Sequence, residues 1–265
     1  SVLAKFAKRP NIYHTIVNAL DKNGNPSWPE KYTKQEIEEH IEFMGYRRAQ
    51  KEYFNNPIEE GTVFKEEWIT WGKVPSLKKF EALVAYCDPS FKDGSKNDYK
   101  AIRFWGKYQN KLYLLKSWVR QATVRSMVIF FYDLHESLPE GVSCHYSMEA
   151  NFLQDILLDE FTEEGKVRGY QLPIRGDKRK KPNKFLRIEN TSPLYERGFV
   201  IYDQRLKDDK DTQTGTDQLL GFEKGSSIHD DAPDADEGAI FILQKSSRVM
   251  KNKPIFGART HRRAW

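Results

Sequence analysis

The chain has 265 residues and a mass of 31.1 kDa, and 38% of its residues are hydrophobic, which excludes a disordered protein. No stretch approaches the roughly 18 consecutive apolar residues of a membrane span, and the first residues, SVLAKFAKRPNIYH, lack the apolar core of a signal peptide. The net charge of +5 is a mild basic excess, and two cysteines, Cys87 and Cys144, make no disulfide framework or zinc spacing. We therefore expect a globular protein of a reducing, intracellular compartment.

Residues 1–75 are predicted to form helices and connectors. TKQEIEEHIEFMG contains a capping box, Thr33 with Glu36, followed by apolar residues at helical spacing. YRRAQKEYFNNP predicts a second short helix that ends before a proline. Because this region has few apolar residues, we interpret it as a linker, or the tail of a larger protein, docked on the domain after it.

Residues 76–250 are predicted to form an α/β domain. The apolar run ALVAYCD predicts a strand buried on both faces that ends at Asp88. DYKAIRFWGKYQNKLYLLKSWV predicts a β-hairpin with its turn at Tyr108–Lys111. A helix in ATVRSMVIFFYDLHE precedes the alternating segment VSCHYSME, which predicts a strand that ends at Glu149.

Helices and strands continue to alternate in the second half. We predict a helix in NFLQDILLDEF, a short strand in GYQLPI, a short helix in NKFLRIEN and an extended segment in GFVIYD. The last helix is predicted to begin in HDDAPDADEG, with an apolar face at Ala235, Ala239 and Ile242. The basic tail, residues 251–265, is expected to be poorly packed.

This order of elements resembles the ribonuclease H-like fold, an α/β fold with a mixed central sheet flanked by helices. In that fold the first strand, the fourth strand and the last helix each carry a metal-binding acid. The corresponding positions here are Asp88, Glu149 and the Asp230–Asp234 cluster. The element order therefore predicts that acids far apart in sequence converge.

Such a cluster of acids suits divalent cations. Carboxylate oxygens are preferred ligands of Mg²⁺ and Mn²⁺, and two such ions can hold the attacking and leaving oxygens of phosphodiester hydrolysis. We expect Asp88 to bridge two metals, Glu149 to hold one and Asp231 to hold the other. Asp234 and Asp230 are alternative third ligands, since residues three or four apart share a helix face. The competing interpretation is a solvated acidic first turn that suits the helix dipole.

A basic run, PIRGDKRKKPNKFLRIE, lies between the second and third acidic positions. It predicts contacts with the phosphates of a nucleic acid, and the alternative is a solvated basic loop. Its basic residues are Arg175, Lys178, Arg179, Lys180, Lys181, Lys184 and Arg187.

Other candidate groups give weaker signals. Asp98 could approach the acids from the next strand, and His229 could orient a ligand or cap the helix. The sequence contains neither HExxH nor GxxxxGK[ST], which excludes ATP hydrolysis by a P-loop.

Together, the motifs resemble the C-terminal nuclease domain of large terminase subunits from tailed bacteriophages or prophages. YCDPSFKDGSKNDYKAI resembles the first acidic motif, YSMEANFLQDIL the second, with Asn151 beside the metal ligand, and HDDAPDADEGA the third. NKFLRIENTSPLYERGFVIYD resembles a stretch that implies a DNA-backbone role for Lys184 and Arg187. The family's linker motif is matched at Ala49, Glu52, Tyr53, Asn55, Pro57, Gly61 and Phe64.

The resemblance implies a metal-dependent endonuclease that cuts concatemeric viral DNA, with low sequence specificity, when head filling starts and ends. It implies Mg²⁺ or Mn²⁺ as cofactor, and double-stranded DNA, a packaging ATPase domain, a small terminase subunit and a portal as partners. It also implies the cytoplasm of a bacterial host, and it is compatible with a monomer for the isolated domain while leaving the oligomeric state open.

Two departures from the family pattern stand out. The packaging ATPase is missing, so the chain resembles an excised fragment or a separately encoded half. Asp236 stands where the family more often has an apolar residue, which leaves the third ligand open among Asp231, Asp234 and Asp230.

Two alternative functions remain. A transposase, integrase or junction nuclease has the same fold, but the N-terminal segment shows no helix-turn-helix reader. A non-catalytic DNA-binding or assembly module of the packaging motor would retain the acids as a relic. Stabilisation by Mn²⁺ that Asp88→Ala abolishes would separate catalysis from assembly. A globular domain without any functional site is a further alternative. It would require that acidic residues lie at the ends of the two strands and at the start of the last helix by chance.

Overall fold

The computed structural model describes residues 15–21, 23–44, 52–55, 63–89, 99–149, 157–181, 183–225 and 228–251. The chain divides into two compact units, residues 1–62 and 63–265. The predictions for Asp98, for Asn151, for the helix start in NFLQDI and for the tail from residue 252 lie outside the described residues.

The first unit contains helix α1 (Lys34–Met44). Its capping box forms as predicted: the Thr33 amide donates to Glu36 Oε2 at 2.8 Å, and the Glu36 amide donates to Thr33 Oγ1 at 3.2 Å. The described part of the linker motif is tied to the start of the unit, since Asn55 Nδ2 donates to the Val17 carbonyl at 2.8 Å. The second helix predicted in this region lies largely outside the described residues.

The second unit is built on a seven-stranded mixed sheet in the order β1-β7-β4-β3-β2-β5-β6. Its strands are β1 (Thr70–Gly72), β2 (Ala82–Asp88), β3 (Tyr99–Tyr108), β4 (Lys111–Gln121), β5 (His145–Glu149), β6 (Ile174–Asp177) and β7 (Val200–Asp203). Within this sheet, β3 is antiparallel to both of its neighbours, and all other pairings are parallel. The central order β4-β3-β2-β5-β6 confirms the predicted ribonuclease H-like arrangement.

Helices cover both faces of the sheet. They are α2 (Val124–Glu136), α3 (Leu157–Arg168), α4 (Lys184–Glu189), α5 (Ser192–Glu196), α6 (Lys210–Leu220) and α7 (Asp231–Lys251), with 3₁₀ turns at Glu66–Trp68, Leu77–Lys79 and Gln204–Leu206. None of the described helices combines the length and apolar character needed to cross a membrane. The predicted hairpin forms, and its turn residues Gln109 and Asn110 have φ angles of 48° and 60°, as a two-residue turn requires.

Alternation along β2 divides its side chains between two cores. Val84 and Tyr86 pack in the core that contains residues of α6 and α7, whereas Leu83, Ala85 and Cys87 pack in the core that contains residues of α2 and α3. The central strands are therefore buried on both faces, as the apolar run predicts.

The strand predicted in GYQLPI begins later than expected. β6 starts at Ile174, directly after Pro173, which has no amide hydrogen to donate. The preceding Tyr170 packs instead against Tyr132 and His135, at ring-centroid distances of 5.4 Å. The strand also extends to Asp177, three residues beyond the predicted segment.

Three elements of the second unit are not predicted: β1, α5 and α6. β1 is an edge strand of the sheet, and the described residues from 63 onwards belong to the second unit. The domain boundary predicted at residue 75 stays a prediction. The sequence of α6, KDTQTGTDQLL, has its apolar residues only at the end, so it lacks the repeating apolar face that identifies a helix.

Candidate active site

Three carboxylates end three neighbouring parallel strands. β2 ends at Asp88, β5 at Glu149 and β6 at Asp177. Glu149 pairs with Asp177, and the residues before Asp88 and Glu149, Cys87 and Met148, pair with each other. Because Cys87 and Met148 belong to the core on the α2 side, alternation assigns the three acids to the α7 side of the sheet. The predicted Asp88 and Glu149 are therefore brought to one edge.

Asp177 is not predicted from the sequence, because the predicted strand ends too early. Asp177 Oδ2 accepts hydrogen bonds from Tyr86 Oη at 2.9 Å and from Arg179 Nε at 2.7 Å. Burial alone would raise the pKa of Asp177, but the hydrogen bonds from Arg179 and Tyr86 hold it below its ordinary value. Extending the predicted strand from Ile174 to the next acid in the sequence would have found Asp177.

The acidic segment that begins α7 has a well-fixed backbone. The Asp234 amide donates to the Asp230 carbonyl at 3.0 Å, and the Ala232 amide donates to Gln218 Oε1 of α6 at 2.8 Å. Asp231 and Asp234 are only 4% and 5% exposed. The predicted solvated acidic turn is therefore wrong for these two residues, which are buried.

Small residues bring α7 close to β2. A Cβ atom at Gly238 would lie 2.4 Å from the Tyr86 ring, and Ala235 and Ala239 are fully buried in the same core. The close approach of helix and strand requires glycine at this position. This contact fixes the helix over the strand that ends at Asp88.

Lys184, the first residue of α4, connects the acids of the strand and the helix. Its Nζ atom lies 2.8 Å from Asp230 Oδ1, 3.2 Å from Asp234 Oδ2 and 3.8 Å from Asp88 Oδ2. One ammonium group is therefore shared by carboxylates that are far apart in the sequence. This observation shows that Asp88 and the start of α7 meet in space.

Two arginines extend these contacts into a network of alternating charge. Arg187 Nη1 donates to Asp234 Oδ1 at 2.9 Å and also to Glu237. Arg179 donates to both oxygens of Glu237, at 2.8 and 2.9 Å, and its Nε donates to Asp177. We call the residues joined in this way the charge network: Asp88, Asp177, Arg179, Lys184, Arg187, Asp230, Asp234 and Glu237.

The neighbours of these groups determine their ionisation. Burial alone would lower the pKa of Lys184, but Asp88, Asp234 and Asp230 outweigh it and raise the pKa above its ordinary value. Burial would raise the pKa of Asp234, but Lys184 and Arg187 hold it below its ordinary value. At neutral pH Lys184 and Asp234 therefore form an ion pair.

The two other predicted ligands lie beside this network. Glu149 Oε1 is 3.5 Å from Lys181 Nζ, and its side chain is 26% exposed. Asp231 Oδ2 is 3.7 Å from His229 Nδ1, and the His229 ring packs on Tyr99 with centroids 4.8 Å apart. His229 thus lies beside Asp231, at a distance longer than a hydrogen bond.

Asp236 stands where the motif that the sequence resembles more often has an apolar residue, and its contacts in the core explain this difference. Its Oδ1 accepts hydrogen bonds at 2.7 Å from both Arg103 Nε and Trp105 Nε1, and its Oδ2 accepts one from Arg103 Nη2 at 3.2 Å. Arg103 is fully buried. Asp236 therefore pairs with a buried arginine inside the domain and stands apart from the candidate ligands.

The basic run has a buried part and an exposed part. Arg187 is buried, and Arg179, Lys181 and Lys184 are half-buried in ion pairs with the acids. The exposed members are Arg175, Lys178 and Lys180. Part of the basic run therefore pairs with carboxylates of the protein, which the sequence does not predict.

A cavity of about 510 Å³ lies next to the charge network. Phe241 forms part of its wall and faces two cations, with Arg179 Cζ 4.0 Å and Lys245 Nζ 4.4 Å from the ring centroid. Its lining residues are Arg179, Lys180, Lys181, Arg187, Asn190, Thr191, Leu194, Glu237, Ile240, Phe241, Gln244 and Lys245. Five of these residues are basic and one is acidic, and three of the basic ones, Arg179, Lys181 and Arg187, are paired with carboxylates.

The chemistry of the candidate ligands fits Mg²⁺ or Mn²⁺, because all of them are carboxylates. The distances between these carboxylates do not match a metal site. Their oxygens lie 2.8–3.8 Å from Lys184 Nζ, which suits an ammonium group, whereas Mg²⁺ requires oxygens at about 2.0–2.1 Å. Within the described residues, no group of three His, Cys, Asp or Glu side chains is arranged to hold a metal ion. The donors are thus of the right kind, with basic groups between them.

No protein-family model and no curated protein matches the chain. Among solved structures, the large terminase of a thermophilic bacteriophage matches 81% of this chain at 15% identity, with a TM-score of 0.47. The chain spans about half of that protein, 52% of its length.

Two isolated nuclease domains also match. A human cytomegalovirus terminase nuclease domain, Mn-soaked and inhibitor-bound, is 16% identical over 69% of this chain and 95% of its own, with a TM-score of 0.49. The Thermus phage P74-26 large terminase nuclease domain is 16% identical over 65% of this chain and 90% of its own, with a TM-score of 0.42. Each of these three terminase structures aligns with 65% or more of this chain.

Proposed function

We propose that this chain is a metal-dependent endonuclease domain that hydrolyses phosphodiester bonds of double-stranded DNA during viral genome packaging. The observation that carries the proposal is the position of Lys184, within 3.8 Å of carboxylates from both β2 and the start of α7. Carboxylates that share one cation lie close enough to share another. This shared contact supports the proposal that acids of the first strand and the last helix form one site.

The proposed ligands are Asp88 and Glu149 from the strands and Asp231, Asp234 or Asp230 from α7. Bound Mg²⁺ or Mn²⁺ would supply Lewis-acid stabilisation of the charge that develops on the phosphate oxygens. The fixed backbone at the start of α7 and the strand ends supply the positioning that such a site needs.

DNA contacts are proposed for the basic run, and its exposed residues support them best. Arg175, Lys178 and Lys180 are free to reach phosphates on the side of the site where β6 ends. Phosphate contacts position the duplex without reading its sequence, so we expect low sequence specificity. We propose Arg179, Lys181, Lys184 and Arg187 as further contacts, made at the cost of their ion pairs with the acids.

The partners proposed for the whole assembly come from the motif resemblance: a packaging ATPase domain, a small terminase subunit and a portal. In that setting the substrate would be concatemeric viral DNA, and cutting would be directed by these partners. The proposed location is the cytoplasm of a bacterial host.

A second candidate function is a non-catalytic DNA-binding or assembly module. It is favoured by one observation, the basic side chains that stand among the carboxylates of the charge network. If those ion pairs are permanent, the acids serve stability alone.

Digestion of supercoiled plasmid in Mn²⁺, Mg²⁺ or EDTA tests the proposal and separates the two candidates. We expect wild type to nick and linearise the plasmid with either metal and to be inactive in EDTA. Asp231→Asn, Asp234→Asn and Asp230→Asn, compared in parallel, identify the third ligand as the variant with the largest loss. Absence of cleavage by the folded wild type in both metals would support the assembly module instead.

The matched control is Asp203→Asn. Asp203 is also a buried acid that ends a parallel strand, β7, and it pairs with Arg205 at 2.6 Å. Three strands separate β7 from β5 in the sheet order. We expect this variant to cut the plasmid at the wild-type rate. That result would show that loss of a buried carboxylate at a strand end does not in itself abolish cleavage.

A further inference from the structure

Lys184 is held at the candidate site by its place in the fold. It is the first residue of α4, directly after Asn183, whose side chain caps the helix by accepting from the Phe185 amide at 2.9 Å. One side of α4 packs inwards, because Arg187 and Ile188 are buried, whereas Leu186 is exposed. The lysine stem therefore starts from a fixed backbone and points its ammonium group at the acids.

The ammonium group contacts the same carboxylates that are proposed to bind metal. Asp88, Asp230 and Asp234 each place one oxygen 2.8–3.8 Å from Nζ. A lysine ammonium has three donors and one positive charge, so it offsets part of the repulsion among three carboxylates. A divalent cation would need those oxygens closer to itself and would repel the ammonium.

We propose that Lys184 is a built-in counter-ion that competes with the divalent cation for Asp88, Asp230 and Asp234. The inference rests on the proposed function, since it assumes that these carboxylates bind metal. The lysine side chain is 39% exposed, so it has a path towards solvent when the cation enters. Lys184 thereby stabilises the acidic site without metal and weakens its affinity for metal.

The chemistry distinguishes this role from that of Arg187. Arg187 is buried, and its guanidinium is held by Asp234 and Glu237, so withdrawing it would leave buried charges unpaired. Lys184 has a flexible stem and an exposed side, and moving it costs less. Of these two cations, Lys184 is the one whose side chain can move away from the carboxylates when a metal ion binds.

Mn²⁺ titration by calorimetry, combined with thermal unfolding, tests the proposal on wild type and Lys184→Met. Methionine keeps most of the length of lysine but carries no charge. We expect Lys184→Met to bind Mn²⁺ roughly tenfold more tightly, as expected for removing one charge-assisted contact. We also expect a lower melting temperature in EDTA and a larger rise on adding Mn²⁺ than for wild type.

Two further variants control for the local charge and for the net charge. Lys184→Arg keeps the charge and is expected to bind Mn²⁺ no more tightly than wild type. Lys224→Met removes an exposed lysine before α7 and changes the net charge equally, so it is expected to leave Mn²⁺ affinity unchanged. Adding Asp88→Asn to Lys184→Met should abolish the gain in affinity.

The outcomes separate this inference from the proposed function. Equal or weaker Mn²⁺ binding by folded Lys184→Met, with wild type binding Mn²⁺, would overturn the counter-ion role and leave the nuclease proposal standing. Binding by Lys184→Met but not by wild type would support the counter-ion role strongly. If neither protein binds Mn²⁺, both proposals fail.

Discussion

Acids of helix α7 and its start take part in two buried clusters of charged residues. The clusters differ in the number of carboxylates for each cation. In the core, the carboxylate of Asp236 meets one guanidinium, that of Arg103, through two hydrogen bonds, with a third from Trp105. At the sheet edge, the single charge of Lys184 is shared by Asp88 and two acids of the helix start. In the first arrangement one carboxylate is paired with one guanidinium, whereas the charge network at the sheet edge contains five carboxylates and three cations.

This difference assigns different roles to acids that are close in sequence. Asp234 and Asp236 are two residues apart, and side chains at that spacing do not share a helix face. A closed, fully buried pair suits a structural role, because removing either partner is costly. An excess of carboxylates at a sheet edge suits a site that takes up a cation. Substitutions at the sheet edge should therefore act on activity, and those in the core on stability.

The largest effect is expected at the sheet edge, on activity. Glu149→Gln should slow Mn²⁺-dependent plasmid cleavage by roughly 10³-fold, since metal ligands contribute several kcal/mol to transition-state stabilisation. Its thermal stability in EDTA should remain close to that of wild type, because the side chain is partly exposed. Cleavage at the wild-type rate would remove Glu149 from the site.

The next effect is expected in the core, on stability. Arg103→Met should lower the free energy of unfolding by about 3–5 kcal/mol, because it leaves Asp236 buried without its cation. Urea unfolding measures this loss. Arg120→Met is the control, because it removes a pair whose arginine is 58% exposed, and it should cost about 1 kcal/mol or less.

A rescue variant checks the reason for the Arg103 effect. Replacing both partners, Arg103→Met with Asp236→Leu, should recover much of the lost stability, since apolar residues of similar volume can substitute for a buried pair. Equal instability of the single and double variants would show that packing, and not charge, explains the loss.

A smaller loss is expected where α7 meets β2. Gly238→Ala should cost about 1–3 kcal/mol, because the new methyl group would overlap the Tyr86 ring. In a Tyr86→Leu background the ring is gone, and the same change should cost less or become favourable, since alanine is the better helix former. Equal costs in the two backgrounds would contradict the close approach.

The smallest effect is expected in the pH dependence of stability. The folded-state pKa of Asp234 lies below its ordinary value of 3.8, so its ion pairs stabilise the fold above that value. This contribution is lost as the pH falls through the folded-state pKa. Urea unfolding at pH 7 and at pH 3 should therefore show a smaller acid-induced loss for Asp234→Asn than for wild type. Parallel losses would contradict the ion pairing.

The central sheet could be predicted because its strands carry strong local signals. ALVAYCD is continuously apolar, and the hairpin turn falls at residues that adopt positive φ. These strands also end on acids, which is why Asp88 and Glu149 could be selected from the sequence. The edge strand β1 and helix α6 lack such signals, since three residues or an apolar run confined to one end give no periodicity.

The partners of the acids could not be predicted in the same way. The basic run suggests phosphate contacts, yet Lys184 and Arg187 lie among carboxylates because α4 folds against the start of α7. The pairing of Arg103 with Asp236 joins residues on β3 and α7 that no local pattern connects. Long-range charge pairing depends on tertiary packing, and periodicity does not carry that information.

Plasmid cleavage in Mn²⁺ by wild type and Asp88→Asn, with matched unfolding curves, is the decisive experiment for the proposed nuclease site. Asp88 is the strand acid that shares Lys184 with the start of α7. We predict that wild type nicks and then linearises the plasmid, and that folded Asp88→Asn leaves it supercoiled. Equal cutting by both proteins, or no cutting by folded wild type, would contradict a metal-dependent nuclease site at this sheet edge.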